Sequence, residues 1–121
     1  MADQLDITIS FKKNGYEIAG FPYHKRLLAD ETQQFSYEKA TGGGHETLPI
    51  TQIGSVSVLV LTADQALTLR LDGQSDAGIV LSAGGVVLVV DATIDAGSST
   101  NATIDNSSGS TALVKGLGAG T

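Results

Sequence analysis

Two histidines, His24 and His45, and thirteen carboxylates are the groups of this 121-residue chain from which acid–base or metal chemistry could be built. His24 has Asp30 and Glu31 downstream, and His45 stands beside Glu46. There is no cysteine, so a zinc site would need three or four ligands drawn from His, Asp and Glu. Two histidines in separate loop-like segments offer no such set, and both are expected at the surface. In "DGQSD", Asp72, Gln74 and Asp76 alternate as the oxygen ligands of a calcium loop do, but the placed glycine and the distant bidentate Glu are missing. Turn-forming aspartates are the expected reading. Asp91, Asp95 and Asp105 could act as acid and base only in a cleft that separates their pKa values. Serine is plentiful, yet there is no G-x-S-x-G elbow, and a triad would have to recruit one of the two loop histidines. The chain reads as non-enzymatic, with no catalytic, cofactor-binding or metal residue to assign and no cofactor expected.

The remaining short motifs have structural readings. "TGGGH" lacks both the Lys-Ser/Thr of a P-loop and the G-x-G-x-x-G spacing, so it reads as a flexible connection near residues 41–45. "NAT" at Asn101 and "NSS" at Asn106 match the glycosylation sequon. No basic n-region and apolar h-region opens the chain, so synthesis in a cytoplasm is expected and these asparagines read as turn residues. The six aromatics, Phe11, Tyr16, Phe21, Tyr23, Phe35 and Tyr37, all precede residue 38. Tyr23 and Tyr37 are the rings a carbohydrate platform could use. A formal charge of −6 argues against direct nucleic-acid binding. The longest apolar runs, Val58 to Leu61 and Val86 to Val90, fall far short of the ~20 residues of a membrane helix.

The elements that would carry these residues follow from periodicity. Leu5, Ile7, Ile9 and Phe11 alternate with polar residues and define one face of a strand. Asn14-Gly15 suits a type I′ turn, and Tyr16 and Ile18 resume the alternation, which predicts a hairpin over residues 5 to 20. Pro22 interrupts strand character, and Lys25 to Asp30 reads as a helical turn or a loop. Phe35 and Tyr37 predict a further strand. "SVSVLVLTAD" is apolar on both faces and predicts a covered strand, with Val56, Val58 and Val60 on one side. Leu67, Leu69 and Leu71 point inward from the next strand, and "IVLSAGGVVLVV" gives two short strands about Ala83-Gly84-Gly85, with Leu88 in the core.

Short Val- and Ile-rich runs spaced by Gly, Ser, Asn and Asp turns predict an all-β fold, an antiparallel β-sandwich or partly open barrel of about seven to nine short strands. Residues 1–121 are read as a single domain with a Gly-rich internal break. The last strand, "TALVKGLGAGT", carries one charge and several glycines, whereas Asp3, Asp6, Lys12 and Lys13 guard the first. Thr111, Leu113, Lys115 and Leu117 are therefore the candidate assembly strand, through sheet extension or docking of the Gly-rich end.

An amphipathic opening strand, the break into "ETLPI", then "VLVLTADQALTLRLDG", "GIVLSAGGVVLVV" and "TIDNSSGSTALVKGLGAG" resemble the small β-sandwich structural proteins of tailed-bacteriophage virions. The resemblance covers the chain from about Glu46 and, more loosely, the N-terminal hairpin. It implies a protein made in the host cytoplasm and working in the virion as many copies. It would be a head decoration or minor capsid protein, or a tail or head-to-tail component. The partners implied are other virion proteins and copies of itself as a homo-oligomer, with no direct nucleic acid and no membrane. The alternative is a ligand-binding sandwich such as a glycan-binding adhesin module.

Overall fold

The computed structural model describes residues 4–42, 46–50, 52–71, 77–94 and 102–121, and the fold is all-β with no helix among them. Two four-stranded antiparallel sheets face each other across one apolar core. Sheet I contains β5 (Glu31–Lys39), β7 (Val56–Ala63), β10 (Val86–Ile94) and β12 (Ala112–Gly120) in the order β10-β7-β12-β5. Sheet II contains β6 (Glu46–Thr47), β8 (Leu67–Arg70), β9 (Ile79–Leu81) and β11 (Thr103–Asp105) in the order β6-β11-β8-β9. Neither sheet closes on itself, so the architecture is a sandwich rather than a barrel.

The core is built from the alternation legible in the chain. Leu59, Leu61 and Ala63 of β7, Leu67 and Leu69 of β8, Ile104 of β11 and Ala112 and Val114 of β12 bury one side chain in two between the sheets. Leu69 is fully buried, as its pattern predicts. Val56 departs from its predicted face. It joins the inter-sheet core with Leu59, while Val58 packs on the opposite face with Ala29 and Ala119. The cause is the register irregularity where the β7 partners step from Ala119 to Gly120. A bulge shifts the alternation by one residue and sends the flanking side chains to opposite faces.

Leu88 also corrects its prediction. Val87 lies in the core, so the period of two turns Leu88 outward, where it remains 40% exposed. A run of five apolar residues gives no phase by itself, and the neighbouring strand decides it. The two strands about Ala83-Gly84-Gly85 belong to different sheets: β9 edges sheet II and the nine-residue β10 edges sheet I. The Ser82–Gly85 connection, with Gly84 at a φ of 79°, carries the chain from one sheet to the other.

The N-terminal region forms an arm. Its base pairs β1 (Gln4–Ile9) with β4 (Tyr23–Leu28), from Gln4 opposite Leu28 to Ile9 opposite Tyr23. Its tip pairs β2 (Lys12–Lys13) with β3 (Tyr16–Glu17). The Asn14-Gly15 turn is where the sequence places it, with both residues at positive φ (52° and 83°) as type I′ requires. The partner of the first strand differs from expectation, because residues 23–28 take that place and are neither a helical turn nor a loop. Lys25 and Leu27 are half-buried while His24, Arg26 and Leu28 are exposed, an alternation masked by the long basic side chains. Pro22 precedes this strand, where its missing N–H costs no ladder bond.

The arm does not stand free of the sandwich. Leu5, Ile7 and Leu27 from its base pack against Ala29, Val58 and Ala119 on the outer face of sheet I. Lys25 also donates to the Asp91 carboxylate of β10 at 2.9 Å.

Candidate functional site

Most of the chemistry-bearing residues are dispersed. His24 sits on the exposed face of the arm, where its Nδ1 shares a 3.2 Å hydrogen bond with Thr8 Oγ1. Glu31 instead accepts the Gly54 N–H at 2.7 Å. Asp91 pairs with Lys25 of the arm and Asp105 with Arg70 of sheet II, so these two acids lie on different sheets, each with its own cation. His45, the Asp72, Gln74 and Asp76 loop, Asp95 and Asn101 lie outside the described residues. Among the described residues no three His, Asp or Glu side chains converge as metal ligands do.

Asn106 is a turn residue, as expected, and a fully buried one. Its Nδ2 donates to the Lys39 and Ser110 carbonyls at 3.0 and 2.8 Å, and its Oδ1 accepts from the Ser108 N–H at 3.1 Å and Ser108 Oγ at 2.7 Å. Every position of the amide is thereby used. The 42–106 link also ties down the start of the Gly-rich break, since Gly42 N–H donates to the Asn106 carbonyl at 2.8 Å.

The candidate assembly strand occupies an unexpected place. β12 is hydrogen-bonded to β5 along one side and to β7 along the other, so strand addition at this segment is closed by the sheet itself. Thr111 lies exposed just before it, and Leu113, Lys115 and Leu117 alternate with the core-facing Ala112 and Val114, which directs them to the outer face. The glycines suit a crowded interior strand: a Cβ at Gly118 would come within 2.6 Å of Ile50. Sequence reasoning took a charge-poor, Gly-rich terminus for a free edge, whereas its small residues are what admit it between two strands.

The arm tip exposes several large apolar side chains. Phe11 is 51% exposed, Tyr16 80%, and Ile18 is also exposed. Phe11 leaves the face that the alternation shares with Leu5, Ile7 and Ile9 because β1 ends at Ile9. The tip has its own internal order. Phe11 and Phe21 meet edge-to-face, with centroids 4.8 Å apart and planes at 76°, and Ile18 N–H donates to the Phe11 carbonyl at 2.9 Å. Lys12 and Lys13 lie between these rings and the turn, which gives the acidic chain a locally basic, aromatic end. Below it, Asp6 and Arg26 pair at 2.7 Å across the base, and the neighbouring carboxylate raises the already high pKa of the guanidinium. Lys25 is likewise held above its ordinary value by its hydrogen bond to Asp91.

The two tyrosines considered as a carbohydrate platform do not share a rim. Tyr23 is exposed on the arm, while Tyr37 is half-buried against the core beside Phe35. Burial, with a smaller effect from Glu46, raises the Tyr37 phenol well above its ordinary value.

No protein-family model, curated protein or solved structure matches this chain.

Proposed function

We propose that this protein is a non-enzymatic structural component of a tailed-bacteriophage virion, made in the host cytoplasm and acting as multiple copies through protein–protein contacts. Its place would be that of a head decoration or minor capsid protein, or of a tail or head-to-tail component. The observation that carries the reading is the arm: an ordered hairpin, tied to sheet I at its base, presents Phe11, Tyr16 and Ile18 to solvent. Exposed aromatic side chains with their own internal packing are what a docking element offers to a pocket on a neighbour, because rigid rings bury large area at low entropic cost. Lys12 and Lys13 beside them favour a neighbour whose pocket has an acidic rim.

A glycan-binding module remains the second reading, favoured by the exposure of Tyr16 and Tyr23 along one arm. Particle composition separates the two. A structural component is present in purified virions at many copies, and it loses incorporation when Tyr16 is replaced by Asp. A glycan-binding module binds an oligosaccharide array through the same rings.

A further inference from the structure

We infer that β10 is a self-association edge, and that two copies of the chain join antiparallel about Leu88 to make one continuous eight-stranded sheet. The inference deepens the multicopy part of the reading above and rests on it.

Among the described residues, β10 pairs with β7 alone, so its outer side is an open edge of sheet I. Alternate residues of such a strand direct N–H and C=O groups away from their only neighbour. Protected edges carry charges, Pro or very short strands. β5, at the far side of the same sheet, has Glu31, Glu38 and Lys39; the arm has Asp6, Lys25 and Arg26; β6 is two residues long. β10 carries its charge, Asp91, and a register irregularity, itself an edge protection, only beyond Val90, and from Val86 to Val90 it has none of these protections. Instead Val86, at 62%, and Leu88, at 40%, expose apolar surface on the outer face of sheet I.

The sequence of this edge names its occupant. Val86-Val87-Leu88-Val89-Val90 reads the same in both directions. A two-fold axis normal to the sheet keeps outer face with outer face, and it places residues whose numbers sum to 176 opposite one another. Val86 then meets Val90 of the second copy, Val87 meets Val89, and Leu88 meets Leu88. Every cross-strand pair is aliphatic, the kind of pair that stabilises a ladder. The isologous contact also closes at two copies and does not propagate.

Charge points the same way. Copies of a chain carrying −6 repel one another, so a contact between them is favoured where no carboxylates are opposed. In this register Asp91 falls opposite Gly85, not opposite another acid, and Lys25 already neutralises it at 2.9 Å. A five-residue edge is small beside the ~1,200–2,000 Å² of a stable complex, so the isolated dimer should form at micromolar concentrations and above.

Sedimentation equilibrium on the isolated protein tests the pairing, with circular dichroism checking that each variant stays folded. The wild type should reach a dimer, and Leu88→Lys, which opposes two ammonium groups at the axis, should weaken it at least about tenfold. The register has its own readout, because the chain contains no cysteine. Leu88→Cys should form an intermolecular disulfide under mild oxidation, since directly opposite residues fall within disulfide range. Val86→Cys alone should not, and the Val86→Cys, Val90→Cys double variant should. A monomer up to about 1 mM, assembly beyond the dimer, or a dimer indifferent to Leu88→Lys would each overturn the edge pairing. None of these results bears on whether the chain is found in virions, which particle composition decides separately.

Discussion

Phe35 and Gly116 stand directly opposite one another in the β5–β12 ladder, and the aromatic ring fills the space that a side chain at 116 would need. A ring laid over a cross-strand glycine recovers the packing that the missing side chain forfeits. Val60 closes the same space from the other neighbouring strand through its carbonyl oxygen. Gly116→Val should therefore cost about 2–4 kcal/mol by overpacking. The measurement is a urea melt, and a midpoint within error of the wild type would contradict this account of the glycine-rich strand.

Leu69 and Leu88 should respond in opposite ways to the same change. Leu69→Asp buries an unpaired carboxylate in the inter-sheet core and should prevent folding or cost more than about 4 kcal/mol. Leu88→Asp places the charge on an exposed edge, and the monomer should stay within about 1 kcal/mol of the wild type. Thermal melts of the two variants at low protein concentration make the comparison, and equal losses would contradict the assigned phase of β10.

That contrast shows how far the sequence is legible. Leu69 stands in strict alternation with Thr68 and Arg70, so its face is fixed locally. Leu88 stands among valines, where either phase satisfies the pattern and only its pairing with Val60 settles it. The Asn14-Gly15 turn was readable because its backbone demand is local, whereas the partner of β1 was not, because Lys25 and Arg26 disguise a half-buried strand. The interior position of β12 depends on which strands flank it, and composition alone suggested the reverse. The arm tip left a trace in the concentration of aromatics before residue 38, but its exposure follows from β1 ending at Ile9, which the alternation through Phe11 does not reveal.

Asn106 acts as the rivet between the end of β5 and the turn before β12. Asn106→Ala should cost about 1–3 kcal/mol, because it strands the Lys39 carbonyl and the Ser108 N–H and leaves the Ser110 carbonyl with Ser108 Oγ alone. Asn106→Asp should also destabilise, since an ionised carboxylate has no donor to offer the two carbonyls. Chemical denaturation of both variants provides the check. Wild-type stability in either would show that the turn does not depend on this amide.

Tyr37 couples stability to alkaline pH. Its raised phenol pKa means that, from about pH 10 upward, the unfolded chain ionises at this residue while the folded chain keeps the proton. The folded state then holds more protons, so stability falls as pH rises through that window. Tyr37→Phe removes this contribution. Because the hydroxyl is buried without a hydrogen-bond partner among the described residues, the change should be neutral or stabilising by up to about 1 kcal/mol at pH 7. The advantage of the variant over the wild type should widen between pH 9 and about pH 11. A constant difference across that range would contradict the assigned burial.

The central claim is that the chain is a multicopy structural component whose arm docks into a neighbour. Quantitative mass spectrometry of purified virions of the phage proposed to encode it, with wild-type protein or with Tyr16→Asp supplied in its place, tests it most directly. The account expects many wild-type copies per particle and a severalfold loss for Tyr16→Asp, although the isolated variant melts as the wild type does. Virions that lack the wild-type chain, or that incorporate Tyr16→Asp at the same copy number, would contradict it.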